Sequence, residues 1–345
     1  MKHLDYINDE IKEYYMILCD NDYPYFIDKY INTNDLKRLD GVGFFCGCDY
    51  SGLFKMKFWY SRLHHSVACA LMMWYFTKNK EQTLAALFHD LGSPAFSHCI
   101  DFLLNDPVNQ ESSELNVKDI INNSVEIKKL LEEDNINIED INDVSKYPIM
   151  ENNKPKICVD RLEGILCTGL IWTKYWSNND IKNIYKDLSV LEENNIQEVG
   201  FNTLKIANDF FRGVYKYSII LQQNEDKFTL KYISDILNEL IENNKLSKDD
   251  LYVLSEDEVI KLIKEDDILK TKWKILNNIK KLDRSESAPN SYYVSTEIKK
   301  KYVIPLIKYK NNVKRLDGVS KTCKKLLNKY LEYKDSLYSY IKEDL

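Results

Sequence analysis

Histidine is scarce in this chain: 345 residues contain five, at positions 3, 64, 65, 89 and 98. Any transition-metal site built on imidazole is therefore confined to the stretch that holds four of them, residues 64–98. Long apolar runs are also missing; none approaches the length of a membrane span. The opening Met1-Lys2-His3-Leu4-Asp5 leads into a charged amphipathic segment instead of a secretory leader. The eight cysteines are scattered. Cys46-Gly47-Cys48 has no second cysteine pair or nearby histidine to complete a zinc site, which favours a structural reading. Reduced thiols and a cytoplasmic location are the expectation. A net charge of −6 argues against holding nucleic acid through the overall field, while leaving a local basic patch open. There is no internal repeat.

What is present describes a soluble globular protein, with 44% hydrophobic and 30% charged residues and a length that supports a core able to enclose a site. Apolar periodicity predicts a mainly α fold. Helices are expected near Tyr6–Leu18, His64–Thr77, Glu81–His89, Ser97–Leu104, Asn116–Glu133 and Lys154–Trp172. The Gly- and aromatic-rich stretch Leu36–Tyr60 predicts turns and a short hairpin, and the acidic, Asn-rich Glu132–Ser145 a surface loop. Beyond Tyr185 the text becomes Lys/Glu/Asn-rich amphipathic helix, with Tyr292–Ser295 and Lys301–Ile304 expected as two short strands. Three parts are expected: a helical extension (1–33), a site-bearing helical core (34–185), and a mainly helical C-terminal region with a short β element (186–345) that shapes or covers the site.

The chemistry centres on His89-Asp90, which ends an apolar helical run and precedes the turn Gly92-Ser93-Pro94. A nitrogen and an oxygen ligand are thus offered at one point of a rigid element. His65 opens the preceding helix, so an antiparallel pair brings it to the same end. A further ligand must come from another helix, and Asp160 is the candidate, because it follows an apolar run and a buried carboxylate is costly unless paired or metal-bound. His64 points about 100° away from His65 on a helix and reads as a packing or rim residue.

Arg62-x-x-His65-Ser66, His89-Asp90-Leu91-Gly92 and Val159-Asp160-Arg161 together resemble the H…HD…D pattern of the HD-domain metal-dependent phosphohydrolases. Within that superfamily the chain is most similar to the deoxynucleoside triphosphate triphosphohydrolases. Their H-D-x-G-[HN]-x-P-F-[SG]-H-x-x-[DE] compares with His89-Asp90-Leu91-Gly92-Ser93-Pro94-Ala95-Phe96-Ser97-His98-Cys99-Ile100-Asp101 here. The resemblance covers residues 36–170 and implies an HD-domain helical core. It implies His65, His89, Asp90 and Asp160 as ligands of one divalent metal ion, and His98 with Asp101 as an acid–base pair. It also implies Arg62, Arg161 and Glu111 as substrate contacts. A nucleotide or other phosphorylated small molecule is the implied partner, and homo-oligomers are usual among the relatives.

Departures from the pattern fall around the metal. Ser93 stands where relatives have His or Asn, and Gln110-Glu111-Ser112-Ser113-Glu114 matches the family's His-Glu-x-x-Ser only in part. Arg38-Leu39-Asp40-Gly41-Val42-Gly43 only loosely resembles the sugar-reading segment. With so few histidines unspent, one metal ion is favoured over two. Nitrogen and carboxylate donors admit Mn, Fe, Ni, Co or Zn, and Mg is also compatible. The bland readings stay open: His98 as a satisfied core histidine, Arg62 as a helix-start cation, and Arg161 as the salt-bridge partner of Glu163 or another acid. For function, the leading expectation is a nucleotide phosphohydrolase, extending to release of deoxynucleoside and triphosphate. The alternatives are a phosphodiesterase or nucleotidase of the same class, or a catalytically silent nucleotide sensor.

Overall fold

The computed structural model describes residues 2–103 and 117–342 and is mainly α with short strands. The expected Glu111 contact lies outside the described residues. Helix α1 (Asp9–Leu18), capped by Asn8, leads through the short α2 (Asp28–Ile31) and α3 (Asn34–Arg38) to the turn-rich stretch. The expected hairpin there is a single bridge between Gly43 and Ser61.

Helix α4 (Arg62–Thr77) begins at a capping box in which Ser61 Oγ accepts from the His64 backbone N–H and His64 Nδ1 accepts from the Ser61 N–H. His64 is therefore spent on the helix start, where Glu or Gln usually sits. Lys78 takes the left-handed conformation (φ 50°), and Asn79 caps α5 (Lys80–Phe88). That tight turn makes α4 and α5 antiparallel, with His65 and His89 at one end.

The chain continues through α6 (Cys99–Leu103), α7 (Val117–Asn123), α8 (Val125–Asp134) and α9 (Val159–Cys167). Residues 154–158, expected as helix, precede α9 as turn and extended backbone. A π-helical turn, Thr168–Trp172, extends α9. It is followed by α10 (Asn178–Lys186), strands β1 (Leu188–Glu193) and β2 (Ile196–Phe201), and helices α11 (Leu204–Ile220) and α12 (Asn224–Glu242). Trp176 wedges between the π turn and α11. A Cβ at Gly169 or Gly213 would lie 2.1 or 2.0 Å from its ring, so only glycine permits this approach.

The remainder comprises α13 (Glu256–Lys264), α14 (Asp267–Asn278), β3 (Asp283–Ser285), β4 (Tyr293–Val294), β5 (Leu306–Tyr309), β6 (Asn312–Arg315), α15 (Leu316–Val319), α16 (Lys321–Leu331) and β7 (Tyr338–Tyr340). One sheet has the order β1-β2-β5-β6, with β2 and β5 parallel, and the other β3-β7-β4. The expected strand at Lys301–Ile304 is extended but joins no ladder; pairing starts after Pro305. One continuous buried cluster runs from Leu4 to Leu327. The first helix and the C-terminal helices thus share the core that carries the site.

Helix α13 and the turn before it also secure the segment after His89-Asp90. Ala95 N–H donates to the Leu251 carbonyl (2.7 Å) and Phe96 N–H to Glu256 Oε1 (3.0 Å). Glu256 is fully buried, and its other oxygen and both oxygens of Asp49 have no hydrogen-bond partner among the described residues. Burial pushes both carboxyls of the Asp49–Glu256 pair upward: Asp49 to about 8, where the Glu256 charge adds to burial, and Glu256 to about 7. The folded state therefore keeps protons that the unfolded chain releases above the ordinary carboxylate pKa. This contribution to stability is full below about pH 4 and is lost as pH rises through 7 to 8. The melting temperature is expected to fall over that window, and Glu256→Gln to flatten the fall. An unchanged pH profile in the variant would contradict the assignment.

Candidate metal centre

Helices α4, α5 and α9 each deliver side chains to one point. His65 Nε2 lies 3.2 Å from His89 Nε2 and 3.1 Å from Asp160 Oδ1, and His89 Nε2 lies 3.7 Å from the same oxygen. Asp90 Oδ2 is 3.9 Å from both Nε2 atoms. Donors around one ion with bonds of about 2.1 Å sit about 3.0 to 3.4 Å apart when adjacent and up to about 4.2 Å apart when opposite, so separations of 3.1 to 3.9 Å are those of a ligand set.

Tautomers decide what these atoms offer. His89 Nδ1 is 2.7 Å from the Ala86 carbonyl oxygen, which can only accept, so the proton is on Nδ1 and Nε2 carries a lone pair. His65 Nδ1 hydrogen-bonds to Glu163 Oε2, which places its proton likewise. Two imidazole lone pairs and a carboxylate oxygen thus face one another in a buried space, an arrangement that is repulsive without a cation between them. The residues fit a divalent ion. Burial alone would lower the His89 pKa, but Asp90 and Asp160 reverse this and raise it. Burial would raise that of Asp160, yet its contacts with His65 and His89 hold it well below the usual range. Both shifts express the same demand for positive charge.

His65, Cys69, His89 and Asp160 form a group that could hold a metal ion. Cys69 is a residue that the sequence reading had not placed near the metal. Its sulfur is 3.9 Å from His65 Nδ1 and 3.8 Å from Nε2. Near-equal distances put it beside the ring and off the Nε2 lone-pair direction, and burial raises the thiol to about 12. The geometry keeps it out of the ligand set.

The support around the ligands was mostly unread in the sequence. Glu163, fully buried one turn after Asp160, accepts from Tyr60 (2.7 Å) and Tyr14 (3.1 Å) through its second oxygen. Arg62 donates Nη1 to Asp90 (2.9 Å) and Nε to Ser97 Oγ (3.1 Å), and its guanidinium lies 5.1 Å from the centre of the Phe44 ring. Burial alone would raise the Asp90 pKa, but Arg62 and the two imidazoles hold it well below the usual range. Arg38 donates to the carbonyls of Leu91 (3.0 Å) and Ser93 (2.8 Å), bracing the same loop.

That loop presents His98. Phe96 (φ 61°) and Ser97 (φ 46°) occupy the left-handed region, a strained conformation held by Glu256 and Arg62 from either side. His98 Nδ1 is 2.8 Å from Asp101 Oδ2, and the ring lines the same cavity as His89, Asp90 and Asp160. Burial, then the charge of Lys301, pushes its pKa down to about 4. Arg161 also reaches the cavity wall, but Glu151 (2.8 Å), the Lys156 carbonyl (3.1 Å) and Asn152 take its donors. Its ion-pair partner is Glu151 and not Glu163. The cavity encloses about 820 Å³ and is walled on its apolar side by Phe44, Phe45 and Trp172.

No family model matches the chain. The uncharacterised protein YdhJ of Bacillus subtilis (strain 168) is 24% identical over 142 residues, which is 40% of this chain and 41% of that protein. The match thus spans less than half of either. Among solved structures, a phosphohydrolase from Bacteroides thetaiotaomicron VPI-5482 superposes with a TM-score of 0.60 at 15% identity, covering 90% of this chain and 93% of that one. A hypothetical protein from Aquifex aeolicus gives 0.58 at 17% identity, covering 90% of each. Both share this fold. Among the described residues, no helix is long and apolar enough to cross a membrane.

Proposed function

We propose that this chain is a metal-dependent phosphohydrolase of the HD type acting on a nucleotide, with a deoxynucleoside triphosphate as the finer reading. The observation that carries this is the convergence of the His65 and His89 lone pairs with Asp160 and Asp90 on the wall of a large cavity. The similarity to the Bacteroides phosphohydrolase supports the same reading at the level of fold. A divalent ion held by His65, His89, Asp90 and Asp160 would supply Lewis-acid stabilisation of charge on phosphate and a more acidic water.

The chain's own residues do the rest. Arg62 aims Asp90 with one nitrogen and keeps Nη2, which among the described residues meets only the Cys46 sulfur at 3.8 Å, for a phosphate oxygen. Asp101 fixes the tautomer of His98 by accepting from Nδ1, leaving Nε2 to take or return a proton. In the resting state burial and Lys301 keep His98 neutral at pH 7. A bound phosphate compensates Lys301 and restores the basicity of the ring when substrate is present. Arg161, its donors occupied, contributes fixed positive charge and a rigid wall.

The test is a panel of dNTPs, nucleoside monophosphates and cyclic dinucleotides offered with Mn. Hydrolysis of one class, lost in His89→Ala and Asp90→Ala, is expected; tight binding without turnover would instead favour the sensor reading. His98→Ala is expected to lower kcat about a hundredfold while leaving the bound metal in place. A loss of metal in that variant would assign His98 to the ligand set.

A further inference from the structure

The loop that presents His98 is held by a pair of carboxyls that do not line the metal cavity. Asp49 sits in the turn Cys48–Tyr50, and Glu256 opens α13. A Cβ built on Gly43 would lie 3.2 Å from Asp49 Oδ2 and 3.2 Å from Glu256 Oε2, so the two oxygens face one point. Both are buried without a hydrogen-bond partner among the described residues. Arg62 is the cation whose charge reaches Glu256, but its Nη1 goes to Asp90 and its Nε to Ser97. The other groups against the pair are the Gly43 and Phe96 backbones, the Tyr50 hydroxyl with Asp257 beyond it, and the thiols of Cys48 and Cys99. None of these brings a positive charge. Two carboxyls enclosed together in this way keep a proton between them, because adjacent carboxylates in a low-dielectric interior repel. Burial accordingly raises Asp49 to about 8, with the Glu256 charge adding to it, and Glu256 to about 7.

The pair is tied directly to the loop. Glu256 Oε1 accepts from Phe96 N–H (3.0 Å), while Arg62 Nε donates to Ser97 Oγ (3.1 Å) from the other side. Between these two anchors Phe96 and Ser97 stand in the left-handed region, a conformation that persists only while its surroundings enforce it. His98 is the next residue. The oxygens of Asp49 are enclosed, so its charge does not reach water without a movement of the pair. Repulsion between two ionised carboxyls therefore loads the Phe96 contact.

We propose that Asp49 and Glu256 form a proton-operated catch on the His98 loop. While the pair holds a proton, Glu256 keeps Phe96 and Ser97 in their left-handed turn and His98 on the cavity wall. When the last proton leaves, the two carboxylates separate, the Phe96 contact breaks and His98 moves off the wall. The inference stands whatever the cavity turns over, because it concerns the placement of His98 and not the reaction.

Isotopic labelling of the imidazole nitrogens in the full chain gives a readout by NMR that needs no turnover, since only five histidines contribute signals. His98 is assigned by the signals that His98→Gln removes. In the wild type these signals are expected to move with a midpoint between about pH 7 and 8. They should do so without the pattern of a charged imidazolium, because burial, then Lys301, holds the ring's own pKa at about 4. Asp49→Asn and Glu256→Gln each leave a single carboxyl, and each should cut the movement at least about fivefold. Asp49→Asn changes the less buried member of the pair and keeps the test open if Glu256→Gln does not fold. His98 signals that stay fixed across this range in the wild type, that turn to the imidazolium pattern, or that move unchanged in the variants overturn the catch. Each of those results leaves the phosphohydrolase reading standing, and a substrate panel without turnover leaves the catch intact.

Discussion

Protein purified with His89→Ala or Asp160→Ala is expected to carry almost no divalent metal and to lose all measurable phosphohydrolysis. Each substitution removes one donor from a set whose atoms lie 3.1 to 3.9 Å apart. With one of the four donors gone, the remaining three hold the ion far more weakly than the full set does. Stability should move the other way. Without metal, the two imidazole lone pairs and the carboxylates repel, so deleting one relieves the metal-free protein. The variants are therefore expected to melt no lower than wild type treated with EDTA, while wild type gains from added Mn and the variants do not. Elemental analysis with melting curves in EDTA and in Mn checks both parts. Full metal occupancy in Asp160→Ala would remove Asp160 from the ligand set.

How much of this was legible depended on residue type more than on distance along the chain. His65, His89 and Asp160 are far apart in sequence, yet imidazole is so rare here that its positions marked the site, and the helical periodicity implied an antiparallel α4–α5 pair. The supporting residues carry no such mark. Glu163 sits three residues after Asp160, on the same helix face, and read most simply as a partner for Arg161; only the fold shows Tyr14 and Tyr60 reaching it from other elements. Lys299 and Lys301 belong to a run, Lys299-Lys300-Lys301, of the kind that ordinarily faces solvent. Only the fold shows that both line the cavity, from an extended segment of which just Lys301–Ile304 was expected as a strand. The hairpins β1–β2 and β5–β6 went unread because buried residues along them do not alternate cleanly, as in Leu306-Ile307. Asn194-Asn195, both at positive φ, was the available signal for β1–β2.

Glu163→Ala is expected to damage the protein more broadly than loss of a ligand. Its carboxylate is fully buried and holds three partners: His65 Nδ1 on one oxygen and the hydroxyls of Tyr60 and Tyr14 on the other. Removing it strands two buried hydroxyl donors and one ring N–H, and leaves a cavity. A destabilisation of about 3–5 kcal/mol is expected, as when one partner of a buried charged network is deleted. The metal should also bind about 10–100-fold more weakly, because the acceptor that fixes the His65 tautomer and orients Nε2 is gone. Glu163→Gln separates the two effects. Its amide oxygen can still accept from the tyrosines and its volume is retained, so most of the stability should return. Its amide NH2 is a donor and cannot accept from His65 N–H, so the loss in metal affinity should persist. Denaturant unfolding and competition with a chelator measure the two quantities independently. A glutamine variant with wild-type metal affinity would show that Glu163 serves only the packing of Tyr14 and Tyr60, and that His65 is oriented by the rest of α4.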